Sequence, residues 1–477
     1  MKTLLLLLAM MLSMTTVVAQ QPVTFDISNE TFTGLIASAP VAIDINDDNI
    51  DDLFNNGYDP VEEEIKSLFY TNDGSANFTL DSMTTPVFSM GATAVFDADA
   101  DGDKDLFYTG GTLSGNVIGF LENLGNGNFS LKSCNDLDGL GLYSVTLSRA
   151  DIDNDGDDDL FLSGYDDFGE ELAYLLINDG TGCFSLSTQQ FDGANGGGSV
   201  LADFDNDGDP DLFYFGTRNN DTYTVVRMNT NGIFGSPLSN IGIPLIFDGK
   251  AAGAFLNSDE FADIVFAANS STGAQSKVCF GNGDGTFTCF QQTLPQVRQG
   301  SVLLEDFDND GDKDLLINGK LFNSNETRIT KLFLNDGIGN FSNSNQVFTG
   351  VYNGQPTAIH ANGDAYLDIF VAGDAGIGFP FHEPTAELYI NTTPLGVNDF
   401  TKESVMLYPN PTNGIVNIEL PSDVFVTDFM VTDMSGKQLN VPYDGPQIDL
   451  SGLDAGIYLL NLQAEDGQSV TKKIIKN

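Results

Sequence analysis

Short apolar runs alternate along this chain with acidic, glycine-rich stretches, always in the same order. A run such as Ser199-Val200-Leu201-Ala202 enters an acidic segment, and a second run, Asp211-Leu212-Phe213-Tyr214-Phe215, leaves it. A variable segment follows. A third run then ends in an Asn/Asp/Gly turn and a phenylalanine, as in Leu332-Phe333-Leu334-Asn335-Asp336-Gly337-Ile338-Gly339-Asn340-Phe341 and Leu175-Leu176-Ile177-Asn178-Asp179-Gly180-Thr181-Gly182-Cys183-Phe184. Asn-Asp-Gly sequences accept positive φ and close tight hairpins, so the phenylalanine opens a fourth strand. The continuous apolar runs predict strands covered on both faces. No 3.6-residue period is sustained, and the glycine and asparagine density opposes helix.

This order recurs seven times. The acidic segments begin at Asp44, Asp97, Asp151, Asp203, Phe255, Asp306 and His360, in steps of 53, 54, 52, 52, 51 and 54 residues. A near-constant period predicts stacked copies of one supersecondary unit. Four antiparallel strands in about 50 residues make a propeller blade. A parallel roll of calcium-binding nonapeptides has a far shorter repeat. The expected fold is therefore an all-β, seven-bladed β-propeller. The last repeat lacks a fourth strand after Glu387–Asn391. The segment Val23–Ser28 resembles the fourth strands elsewhere, such as Phe78–Ser82. It is expected to pair with Glu387–Asn391 and close the ring, because an open ring would expose a sheet edge.

The acidic segments have the spacing of a calcium chelator. Calcium takes six to eight oxygens in flexible geometry. Carboxylates at positions one, three and five, the backbone carbonyl of seven and an aspartate at nine supply them, while glycine at six permits the left-handed turn. Four segments are complete: Asp97/Asp99/Asp101/Asp105, Asp151/Asp153/Asp155/Asp159, Asp203/Asp205/Asp207/Asp211 and Asp306/Asp308/Asp310/Asp314. The first repeat offers Asp44, Asn46, Asp48 and Asp52, with Asn49 at position six, and is expected to bind more weakly. The fifth has Phe255 and Glu260 at positions one and six, and the seventh His360 and Ala365, so neither is expected to bind metal. About five structural Ca2+ sites are expected. A solvated acidic turn is the alternative, but so many carboxylates in nine residues repel one another without a cation.

The recurring Asp-x-Asp-x-Asp-Gly-x-x-Asp loop followed by Leu-Phe, with the Asn-Asp-Gly-x-Gly-x-Phe turn, resembles the FG-GAP/VCBS repeat family over roughly residues 22–394. That family includes the propeller of integrin α subunits and some fungal lectins. The resemblance implies calcium sites in the blades and an extracellular binding role, without one particular activity.

The formal charge is −49, and the five intact loops hold 26 of the 68 acidic residues, so much of the charge sits where cations would offset it. Nucleic acid is disfavoured as a partner, because polyanions attract basic surfaces. Lys2, the apolar run Leu4–Leu12 and the small-residue pattern Val17-Val18-Ala19 read as a signal peptide cut after Ala19. The run is too short to span a bilayer comfortably. No later stretch qualifies, so no transmembrane segment is expected in the mature chain. An exported chain permits disulfides. Cys279 and Cys289 flank Asn282-Gly283-Asp284-Gly285 and are either paired across one hairpin or free in strands. Cys134 and Cys183 occupy different positions in neighbouring repeats, and no bond between them is expected.

From Ser404 the pattern changes to short alternating strands that suggest a small β-sandwich. Tyr408-Pro409-Asn410-Pro411, the turn Asp433–Lys437 and the strand Leu453–Tyr458 resemble the type A C-terminal sorting domain of the bacterial type IX secretion system. This resemblance implies export by the type IX machinery, then tag removal with attachment to surface lipopolysaccharide, or release. The bland alternative is an accessory β-domain that stays attached. The expected organisation is a signal peptide at 1–19, a propeller at 20–394, a linker at 395–404 and a sorting domain at 405–477. The protein is expected at the bacterial outer cell surface.

The functional expectation is a binding protein for a glycan or an extracellular protein. The segments joining second and third strands vary while the calcium loops repeat, and loops on a rigid scaffold carry function. Tyr58, Tyr165, Phe168, Arg218, Phe379 and Phe381 lie there as candidate ligand contacts, with blade packing as the alternative role. The rival is a polysaccharide hydrolase or lyase, for which two well-spaced carboxylates suffice. Every conspicuous acid cluster is accounted for by calcium, and the two histidines, His360 and His382, lie in no nucleophile–base constellation visible in the sequence. A purely structural adhesin is the third class.

Overall fold

The computed structural model describes residues 22–83, 86–125, 127–132, 137–290, 292–322, 327–376, 382–393, 405–420, 426–433, 437–439, 441, 443–444, 447–464 and 469–477. The predicted signal peptide, linker and Cys134 fall outside these residues. The chain forms two compact units, Met1–Thr393 and Pro394–Asn477. The described residues contain strands and turns but no α-helix.

In the larger unit each repeat forms an antiparallel meander. The third repeat is representative: Tyr143–Ala150, Asp159–Tyr165, Glu171–Asn178 and Phe184–Leu186 pair in that order. The acidic loop joins its first two strands, with Ala150 opposite Asp159. The Asn-Asp-Gly turn joins the last two, with Asn178 opposite Phe184. The second strand is buried along its length because it has two apolar faces. Leu160 and Leu162 pack with Phe107 and Phe120 of the preceding sheet, while Phe161 packs with Leu212 and Tyr214 of the following one. Side-chain alternation thus feeds two different cores, which is why the sequence shows a continuous apolar run. Each fully buried phenylalanine or leucine contributes about 1.5–3 kcal/mol.

Seven such sheets follow one another among the described residues. The first strands contact one another in chain order, and that of the last sheet, Pro356–Ile359, returns to that of the first, Val41–Ile43. The segment Phe25–Ile27 is the outer strand of the last sheet, with Phe25 opposite Asn391 and Ile27 opposite Tyr389. This repeats the Asn178–Phe184 pairing across the two ends of the chain. The fourth sheet differs from the expected meander. Its three strands end at Arg227, and a separate pair, Asn229–Thr230 with Ile233–Phe234, follows. Here the turn from asparagine to phenylalanine is one residue shorter than in the third repeat, and Asn231 and Gly232 close it at φ 50° and 79°. Cys279 and Cys289 are cross-strand neighbours and are joined as a disulfide. Cys183 is a free thiol.

The smaller unit holds two four-stranded sheets. One contains Met406–Tyr408 and Ile415–Glu419, and the other Val426–Asp433, Gly456–Ala464 and Ser469–Lys476. Val416, Ile418 and Ile448 of the first share a core with Val431, Leu460 and Ile474 of the second.

Candidate metal centres and the opposite mouth

The acidic loops are shaped by their own carboxylates. In the fourth repeat Asp203 Oδ1 accepts the backbone N–H groups of Asp205, Asn206 and Asp207, and Oδ2 accepts that of Gly208. The glycines at position six, Gly102, Gly156, Gly208 and Gly311, lie at φ 94–104°, and Asn49 takes the same role at 63°. Position four is also left-handed, at Asp47, Ala100, Asn154, Asn206 and Asn309, which the sequence reading did not anticipate.

Carboxylate oxygens converge within 4.8 Å of one another in four loops: Asp97, Asp99 and Asp101; Asp151, Asp153 and Asp155; Asp203, Asp205 and Asp211; Asp306, Asp308 and Asp314. These are the four complete loops. Asp207 and Asp310 stand outside their trios. The first repeat gathers no acidic trio; Asn46 there accepts the Asp48 N–H, and Asp44 accepts the N–H of Asn49. In the seventh repeat the Asn362 amide donates to Asp364, and in the fifth Phe255 is exposed.

Position three is where a cation fits. Asp308 is 5 % exposed, and neither of its oxygens accepts a hydrogen bond. One buried oxygen of Asp99 and one of Asp205 are likewise unsatisfied. Such groups are costly unless something positive meets them. Burial first, then the neighbouring acids, pushes the Asp153, Asp205 and Asp308 carboxyls up. In the second repeat Lys132 supplies part of that charge, with Nζ 3.3 Å from Asp99 Oδ2. The all-oxygen donor sets fit a hard divalent cation.

Position nine has a role the sequence did not reveal. Asp52, Asp105, Asp159, Asp211, Asp263, Asp314 and Asp368 are buried in all seven repeats. One oxygen of each accepts the N–H of loop position two, and the other accepts the N–H at the end of the third strand or, at Asn229 in the fourth repeat, just beyond it. Each carboxylate therefore ties the loop to two strands, including in the fifth and seventh repeats. Burial, partly offset by these bonds, pushes Asp105, Asp159 and Asp211 up to about 7, Asp314 to about 8, and Asp52, Asp263 and Asp368 to about 6. The asparagine ending the third strand reaches the preceding repeat: Asn178 Nδ2 donates to the Ala98 carbonyl, and Asn391 Nδ2 to that of Phe307.

The strand-two to strand-three turns lie at the other end of each sheet. Tyr58 is half-buried, with its backbone bonded to Ile36. Tyr165 packs on Tyr143, ring centroids 5.5 Å apart. Phe168, on the same hairpin as Tyr165, is 89 % exposed. Arg218 is paired with Asp192 at 2.6 Å and lies over the Tyr223 ring. These residues stand on hairpins of three different sheets and make no single cluster. Phe379 and Phe381 lie outside the described residues. His382 Nδ1 lies 2.6 Å from Asp374 Oδ2, while Asp374 Oδ1 accepts the N–H groups of Gly376 and Glu383. The pair clamps this turn.

At the same end the backbone bulges within the first strand of five sheets, and just before the first strand at Ala37 and Asn353 in the first and last. The leading residues are Ala37, Met90, Ser144, Gly196, Asp248, Gln299 and Asn353, all at φ 47–58°. Two residues there oppose one on the second strand, for example Met90 and Gly91 between the pairs Ser89–Gly111 and Ala92–Thr109. The bulges surround a cavity of about 200 Å³, lined also by Lys250. A second cavity of about 140 Å³ includes Lys250, Thr146, Ser301 and Gln355. The sequence reading placed no ligand contact here.

Comparison with known proteins agrees with this architecture. Residues 151–214 and 256–317 match the FG-GAP-like repeat family, and residues 406–477 match the secretion system C-terminal sorting domain family. The chain thus carries FG-GAP-like repeats and a type IX sorting tail, and the protein is secreted to the cell surface. No curated protein matches it. Among solved structures, BP39L lectin from Burkholderia pseudomallei is similar at 11 % identity and a TM-score of 0.50, covering 74 % of this chain and 99 % of that one. The six-bladed Aleuria aurantia lectin gives 10 % identity and 0.37, over 66 % and 96 %. A thermostable family-43 glycoside hydrolase gives 12 % and 0.31, over 56 % and 96 %. At 11 % identity the likeness to the BP39L lectin concerns fold alone. No helix among the described residues is long and apolar enough to cross a membrane.

Proposed function

We propose that the protein is a seven-bladed β-propeller, closed by its N-terminal strand and stabilised by calcium, that binds carbohydrate at the cell surface. The observation that carries the calcium reading is the buried, unsatisfied carboxylate of Asp308 beside Asp306 and Asp314. Asp97/Asp99/Asp101, Asp151/Asp153/Asp155 and Asp203/Asp205/Asp211 would hold further ions, and Asp44, Asn46 and Asp48 a weaker one. Calcium would neutralise these loops and fix their geometry. The ligand-binding reading is supported by varied hairpins at the opposite end, where Phe168 is exposed and Tyr165 and Arg218 are held in place. Carbohydrate is the chosen ligand class because BP39L, similar in fold, is described as a lectin. The tail would engage the type IX machinery and be removed as the mature protein is attached to lipopolysaccharide or released.

The enzymatic reading draws on the His382–Asp374 pair, but both Asp374 oxygens are committed to holding the turn. The test is a glycan array probed with the mature protein in calcium and in chelator. Retention of defined glycans in calcium, weakened by chelator, is the expected result. No retention would reject carbohydrate binding, and turnover of a retained polysaccharide would favour the enzyme. A melting temperature indifferent to calcium would reject the metal reading.

A further inference from the structure

The mouth opposite the acidic loops holds a cation with little to neutralise it. Lys250 stands on the first strand of the fifth sheet, two residues after the bulge residue Asp248. Its side chain crosses the fourth sheet to reach the third, where Nζ donates to the Val145 carbonyl at 3.1 Å. The fourth sheet yields room because it presents Gly196, Gly197 and Gly198; a Cβ at Gly198 would lie 2.7 Å from the Ala251 nitrogen. An ammonium has three donors, and among the described residues Lys250 makes this one hydrogen bond and no ion pair. Burial pushes it down to about 8.

The surroundings favour an anion. Within the inner cavity Lys250 is the sole charged lining residue, and Thr146, Ser199, Ser301 and Gln355 line the same space, the Thr146 and Ser199 hydroxyls bonded to each other at 2.9 Å. At the mouth the other charged lining residue is Asp248, and its carboxylate is already bound by the Asn269 amide at 2.9 Å and faces Arg298 and Lys320. A positive site is thus maintained in a chain of formal charge −49. The inner cavity of about 140 Å³ and the mouth of about 200 Å³ are each below the roughly 300–1,000 Å³ of drug-sized sites, so the occupant is compact.

We propose that this axial cavity binds a small carboxylate, held by Lys250 with Thr146, Ser301 and Gln355 as polar partners. The carboxylate is either a free organic acid or the acid group of a uronic sugar. The site is independent of neutral-glycan recognition by the outer hairpins, so failure of the glycan array on neutral sugars leaves it standing.

The test is calorimetric titration of the full chain at fixed saturating calcium with sodium acetate, sodium galacturonate and neutral galactose. Galacturonate should bind and galactose should not. Binding of acetate as well identifies a simple carboxylate site; silence with acetate identifies the sugar acid. Lys250→Met should weaken binding roughly tenfold to a hundredfold, the usual range for a hydrogen bond to a charged group, and Lys250→Arg should retain part of it. Absence of carboxylate binding, or binding undiminished in Lys250→Met, overturns the proposal. Should both variants fail to fold, acetic anhydride labelling of the unmodified protein decides: galacturonate protects Lys250 if the site exists, and unchanged labelling of Lys250 refutes it.

Discussion

Asp308 and Asp263 illustrate two different uses of a buried carboxylate. Asp308 accepts nothing from the protein, so without a cation it is an uncompensated buried acid. Asp308→Asn should therefore raise the melting temperature in chelator, a gain of about 1–3 kcal/mol from removing an unpaired polar charge. In calcium the same variant should be the less stable, with one binding site fewer by calorimetry. A variant that is less stable in both conditions would show that Asp308 acts through something other than metal. Asp263 belongs to the fifth repeat, where Phe255 stands in place of the first acid, yet both its oxygens accept backbone N–H groups, from Leu256 and Gly281. Asp263→Ala leaves those donors buried and unpaired. It should cost about 2–4 kcal/mol while calcium stoichiometry stays unchanged. Loss of a calcium site in this variant would mean that the fifth repeat chelates after all.

The strands and turns were legible in sequence because each is dictated locally. Apolar runs need two covered faces, and Asn-Asp-Gly needs a tight turn. The convergence of position-one and position-three acids in four loops followed from spacing for the same reason. Position nine was read only as a ligand, because spacing shows where a carboxylate falls but not which backbone donors it meets. The inner bulges were missed although they leave a trace. Each leading residue lies seven positions before its loop, and glycine follows it at Gly91, Gly197, Gly249, Gly300 and Gly354. A glycine in a strand is ambiguous until the opposing carbonyl is seen. At Gly197 a Cβ would collide with the Phe215 carbonyl oxygen. Gly197→Ala should therefore lower stability by about 2–4 kcal/mol, or prevent folding. Ser144→Gly, which relieves a left-handed non-glycine residue at φ 50°, should leave stability unchanged or raise it. Thermal melts of the two variants read the contrast, and equal effects would remove the special role of the bulge.

Across the whole propeller unit, the first and last repeats meet at two seams. At one, Asn72 Nδ2 and Ala76 N both donate to the Ala361 carbonyl. This repeats the asparagine contact that joins other neighbouring repeats, so the seventh and first sheets are linked like any adjacent pair. At the other seam the N-terminal strand supplies what the last repeat lacks. Val23 is buried, and Phe25 packs edge-on against Phe307 and Phe348. Gln346 brackets the strand, accepting from Phe25 N and donating to the Val23 carbonyl, while Thr392 N donates to Thr24 O. Two apolar side chains and a short ladder of hydrogen bonds are together worth on the order of 5 kcal/mol. Deleting Val23–Ser28 should thus lower the melting temperature markedly. It should also bare the edge of Pro384–Asn391, whose free backbone groups can pair with a second copy. Concentration-dependent association of the deletion variant in sedimentation, absent from the intact protein, is the expected sign. If the variant melts like the intact protein and stays monomeric, the strand is an accessory and the ring is held by the Asn72–Ala361 seam alone.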